Sequence, residues 1–152
     1  MAHVTNMKIA DGKGRSQVVL LARGSSSAAV LHAAPHVPHL AAVVLLHAVA
    51  ELAEVARARK HRLPWQMQIH GVLRHYDLPD LLAALPASVS VAVASPLSAK
   101  RRRLSWRQAW RSYRLAARRF QGMRMRILMG QDEVTFQIAR FLTVLFRGGV
   151  RR

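Results

Sequence analysis

The sequence predicts a small α/β domain: a mainly parallel sheet of about four short strands alternating with helices, with a mostly α-helical fold as the alternative. Three observations carry this expectation. Short apolar runs of β-type composition occur at 17–22, 65–70, 89–94 and 123–129. Stretches with helical spacing lie between and after them, at 40–59, 77–85, 104–120 and 132–147. Hydrophobic residues make up 51% of the 152, enough to fill a core and to argue against wholesale disorder.

Taken in order, residues 1–16 hold one acid, three cations and two glycines, and read as a flexible arm before a single domain at 17–149. The first 35 residues are poor in acids and contain serines, a composition that weakly resembles an organellar transit peptide. Gln17–Ala22 is a β-rich apolar run, expected as a buried strand. The loop that follows, Gly24 to Ser27, can offer backbone N–H groups and hydroxyls to a phosphate. No Gly-Lys-Ser/Thr follows it at the spacing of a phosphate-binding loop, so it reads as a turn with serine caps.

His32, His36, His39 and His47 have some of the spacing of a metal site. Pro35 and Pro38 interrupt any shared helical face and no carboxylate is near, so no metal is assigned. From Leu40 the apolar residues Val43, Val44, Leu46, Val49, Leu52 and Val55 suggest a core helix to Arg59, with Glu51 and Glu54 on its polar side. Arg57, Arg59, Lys60 and Arg62 gather at its end and Pro64 stops it.

Trp65 to Val72 alternates apolar and polar residues, as a half-buried strand does. Asp77, Pro79 and Asp80 then form a helix start: a cap, a first-turn proline and a further acid at the positive dipole end. That role accounts for both aspartates without invoking catalysis with His70 or His75. Val89–Ala94 is strand-like. The uncharged stretch 81–99 also competes as a marginal membrane span, since the basic run after it resembles a cytoplasmic boundary.

Lys100 to Phe120 is the most informative stretch. Trp106, Trp110, Tyr113, Ala117 and Phe120 recur at spacings of four and three, which predicts an inward helical face. Arg107, Arg111, Arg114 and Arg118 repeat the spacing one position later, on the flank, joined by Arg119. Lys100, Arg101, Arg102 and Arg103 add four cations before the helix. Arg124 and Arg126 alternate with apolar residues in the next strand, on its open face. A last helix follows, with Val134, Ile138, Phe141, Leu142 and Leu145 as its stripe, and Val150–Arg152 is a basic tail.

Charge narrows the function. Of the net +17, residues 100–152 carry +13. That asymmetry points to a polyanionic partner. The absence of cysteine excludes disulfides, thiolate metal sites and cysteine nucleophiles. The expectation is a non-enzymatic, cofactor-free nucleic-acid-binding protein, RNA ahead of DNA, that contacts the phosphate backbone through Lys100–Arg103, Arg107, Arg111, Arg114, Arg118, Arg119, Arg124 and Arg126. Lys100–Arg103 also reads as a nuclear import signal, so a nuclear or organellar site is favoured over the cytoplasm. Two alternatives stand beside it. One is binding of anionic membrane lipid through 81–120. The other is charge that reflects only the Arg- and Ala-rich composition of a GC-rich coding strand.

Overall fold

The computed structural model describes residues 3–10, 15–64, 69–120, 124–130 and 134–147. Its centre is a five-stranded sheet in the order β1-β2-β3-β4-β5, formed by His3–Ala10, Ser16–Arg23, Leu40–Leu46, Ser90–Ala94 and Met125–Leu128. β1 is antiparallel to β2, and β2 to β5 are parallel. The expected α/β class is therefore the fold observed.

Helices fill each parallel crossover. α1 (Ser26–Ala33) joins β2 to β3; α2 (Leu52–Arg57) and α3 (Leu78–Ala84) lie between β3 and β4; α4 (Trp106–Arg119) joins β4 to β5. The chain steps across the sheet in one direction, and right-handed crossovers then bring these helices to one face. Leu20, Val43, Leu45, Val91 and Val93 of the sheet pack there with Leu31, Leu52, Leu82, Tyr113 and Phe120. The opposite face, Val19, Ala42, Val44, Ala92 and Ala94, is covered by α5 (Val134–Arg147) through Val134 and Ile138.

Several expectations are corrected. Residues 3–10 do not form an arm: they pair along their whole length with β2 as an edge strand. Thr5, Met7 and Ile9 are half-buried while Val4, Asn6 and Lys8 are exposed, the alternation of a strand with one covered face. The helix expected over 40–59 is a strand, β3, followed by the short α2. Ala42 to Leu45 are all at most 1% exposed. A segment apolar on both faces matches a helical template as easily as a strand, and here it is an interior parallel strand. α1 begins where only a capped turn was expected, and Ser25 at its N-cap makes no side-chain cap bond. Of the strand expected over 65–70, residues 65–68 lie outside the described residues, and His70 is in a turn.

Residues 81–99 do not form a membrane span. They contain the end of α3 and β4, which is hydrogen-bonded to β3 on one side and β5 on the other, with all five residues buried. Among the described residues no helix is long and apolar enough to cross a membrane.

Asp77 ties the α2–α3 corner together. It caps its own helix by accepting from Leu78 N–H (2.6 Å), within a reciprocal capping box in which Asp80 accepts from Asp77 N–H (2.8 Å). It also accepts from the N–H groups of Leu52 (2.6 Å) and Ala53 (3.0 Å), which open α2. One carboxylate therefore serves two helix starts, at the end of each where anions are favoured.

Candidate nucleic-acid interface

α4 begins at Ser105, which takes part in a capping box with Gln108: Ser105 N–H donates to Gln108 Oε1 (2.9 Å) and Gln108 N–H to Ser105 Oγ (3.4 Å). Its buried stripe is Ala109, Tyr113, Ala116 and Phe120, each at most 3% exposed. That corrects the expected inward face. Tyr113 and Phe120 do point in, but Trp106 and Trp110 are 53% and 48% exposed. The face is turned because α4 packs directly against α3, and the alanines permit that approach. A reading that weights side chains by hydrophobicity prefers tryptophan to alanine and turns the helix the wrong way.

Burial pushes the Tyr113 phenol well above its usual range, helped by the negative charges of Glu51 and Asp77. Tyr113 is thus a neutral core residue with no titration near neutrality.

Trp106 and Trp110 stack, with ring centroids 6.1 Å apart and planes inclined by 19°. Beside them Arg107, Arg111, Arg114 and Arg118 are all exposed. At about 100° per residue, the arginine row is centred roughly 160° round the axis from the buried stripe, with the tryptophans at the border between the two. The row runs about 16 Å along the helix. None of its side chains has a hydrogen bond or ion pair among the described residues.

Three of the four acids among the described residues are occupied elsewhere. Asp77 and Asp80 accept from backbone N–H groups at the α2–α3 corner, and Glu54 Oε2 accepts from Ala99 N–H (3.2 Å). A protein with few carboxylates has used these three on its own backbone, and the guanidinium groups of Arg107, Arg111, Arg114 and Arg118 remain open to an external anion.

The other expected site residues divide. Lys100, Arg101, Arg102 and Arg103 are exposed in the segment leading into α4. Arg124 is tethered, its Nη1 donating to the Ala87 carbonyl (2.9 Å). Arg126 lies on the other side of the sheet: Met125 and Ile127 face the α1–α4 layer, whereas Leu128, which shares a strand face with Arg126, packs on the α5 side. It cannot join the α4 row. Arg119 belongs to α4, but its side chain is outside the described residues.

Two cations escaped the sequence reading of the interface. Arg62 N–H donates to the Ala99 carbonyl (3.1 Å), which brings Lys60 and Arg62 beside Lys100, Arg101 and Arg102. Both runs are visible in the sequence, but Arg62 and Lys100 are 38 positions apart and no local pattern joins them.

The histidines are dispersed. His32 Nδ1 bonds the Ala28 carbonyl (2.7 Å) and its Nε2 bonds the Tyr76 hydroxyl (2.7 Å). His39 and His47 flank β3 at opposite ends, roughly 25 Å apart by strand rise. His47 has a positive φ of 52°. Burial, then the charges of Arg23 and Arg103, hold its imidazole below the usual histidine range.

Comparison with protein-family models, with curated proteins and with solved structures finds no match to this chain.

Proposed function

We propose that the protein binds single-stranded nucleic acid, RNA ahead of DNA, through the solvent face of α4, and that it does so without catalysis. The observation that carries this reading is the exposed Trp106–Trp110 pair beside a row of arginines that no carboxylate neutralises among the described residues. Arginine binds phosphate bidentately, and exposed indoles give unpaired bases a stacking surface. Unpaired, splayed bases are the usual target in RNA, which places RNA ahead of DNA. The contact is to the backbone and to base faces, so sequence preference is slight.

Salt dependence tests it. Four arginines on a single strand predict a slope of log K against log salt of about −2.8. Tryptophan fluorescence should be quenched on binding, and Trp106→Ala with Trp110→Ala should weaken binding by about tenfold or more. A salt-independent interaction, or one indifferent to both substitutions, would reject the reading.

Leu115, 58% exposed on the same helix, favours one rival. An anionic membrane surface would also accept tryptophans and a leucine flanked by arginines. Flotation with anionic but not neutral liposomes, without RNA binding, would replace the first reading by this one.

A further inference from the structure

We infer that the cleft between residues 60–62 and the 98–102 turn binds a compact run of phosphates, at least three in a row. The cleft has a volume of 580 Å³ and is lined by Lys60, Arg62, Lys100, Arg101 and Arg102. Every lining residue is a cation. This site is separate from the exposed face of α4 and does not rest on the nucleic-acid reading.

The cations are held in place by backbone. Ser98 N–H donates to the Arg102 carbonyl (2.8 Å), Arg101 N–H to the Ser98 carbonyl (2.9 Å), and Arg102 N–H to Ser98 Oγ (3.2 Å). This closes a tight turn that presents Lys100, Arg101 and Arg102 together. The turn is clamped on both sides: Leu97 bridges to Val49 and to Arg103, and Ala99 is held by Glu54 and Arg62. Arg101 has a φ of 59°, a left-handed conformation that a side chain adopts at a cost. A strained, hydrogen-bonded turn thus gathers like charges that repel one another. Glu54 is hydrogen-bonded to this turn through the Ala99 N–H and is not part of the lining.

The charge count selects the ligand. A single phosphate would leave most of five cations unmatched, whereas three adjacent phosphates match them in a small volume. The concave shape favours such a compact anion over an extended strand. Arg101 also lines a neighbouring cavity of 700 Å³ with Ser25, His47, Val49 and Leu97. A ligand whose phosphates occupy the cation cleft therefore has room beside Arg101 for an organic portion. A nucleoside triphosphate and a free oligophosphate share the recognised chemistry.

Calorimetric titration of the full chain at about 0.15 M salt, with inorganic tripolyphosphate, ATP, AMP and inorganic phosphate as probes, decides the matter. Saturable one-to-one binding of tripolyphosphate is expected, about tenfold or more tighter than inorganic phosphate or AMP. Arg62→Gln with Lys100→Gln should weaken it about tenfold or more, and Arg107→Gln with Arg111→Gln should change it less than about twofold. These are exposed positions, so the folded state is checked by an unchanged melting curve without ligand. ATP binding tighter than tripolyphosphate would assign a nucleotide; equal affinity would assign the bare phosphate run. Non-saturable binding, or equal loss in the cleft and α4 variants, would overturn the proposal as diffuse attraction to a cationic surface. RNA binding by α4 can fail or succeed without altering either result.

Discussion

α4 and α5 are each 14 residues long and lie on opposite faces of one sheet, yet they meet water with different chemistry. α4 shares its face with α1, α2 and α3, so a narrow stripe of two alanines, Tyr113 and Phe120 suffices to dock it. The rest of its surface is free to carry arginines. α5 is the helix that covers the other face, and turns Val134, Ile138, Phe141, Leu142, Leu145 and Phe146 toward the sheet. Its outer side is left with Phe136 and Val144 exposed, and Arg140 as its cation among the described side chains. The difference teaches that the load a helix bears in the core sets how much of its surface is available for charge.

The comparison can be broken most severely at Tyr113. Tyr113→Ala removes the largest fully buried side chain among the described residues and should cost about 3–5 kcal/mol in urea unfolding. Phe136→Ala on α5, 68% exposed, should cost less than about 0.5 kcal/mol. Similar losses at both positions would mean that the buried stripe of α4 has been misassigned.

Next in size is the charge itself. Replacing Arg107, Arg111, Arg114 and Arg118 together by Gln should lower single-strand affinity several hundredfold at about 0.1 M salt and flatten the salt slope by about 2.8. Arg140→Gln on α5 should leave both unchanged within error. Equal effects from the two helices would leave only the compositional account of the charge.

A smaller effect is expected at Asp77, on which the α4 side of the sheet depends. Asp77→Ala strips the acceptor from two helix starts and should cost about 2–3 kcal/mol. Hydrogen exchange should quicken in α2 and α3 and remain slow in α5.

The smallest is a pH effect. Because the folded imidazole of His47 binds its proton less readily than the unfolded one, stability should fall as pH drops below about 6.5 and level off once the lowered value is passed. His47→Asn, which tolerates the left-handed backbone, should remove that part of the slope in urea midpoints measured from about pH 7.5 to about pH 5.

Much of the fold was legible because its signals are short-ranged. The β2, β4 and β5 runs, the aspartate start of α3, and α4 and α5 all appear within a residue or two of their expected bounds. The candidate site was legible in part. The arginine row at 107, 111, 114 and 118 is on one exposed face, while Arg124 is tethered to Ala87 and Arg126 is on the far side of the sheet. Strand alternation marks two faces but cannot tell which helix covers either. Leu40–Leu46 was misread for a related reason: burial on both faces erases the period that separates a strand from a helix.

By itself the sequence determined the α/β alternation, the cap at Asp77, and the concentration of cations after residue 99. Each depends on groups within a few positions of one another. Tertiary structure decided that Trp106 and Trp110 face water, that 3–10 is an edge strand, and that Lys60 and Arg62 meet Lys100–Arg102. Those outcomes depend on which surfaces compete for burial once distant segments are packed together.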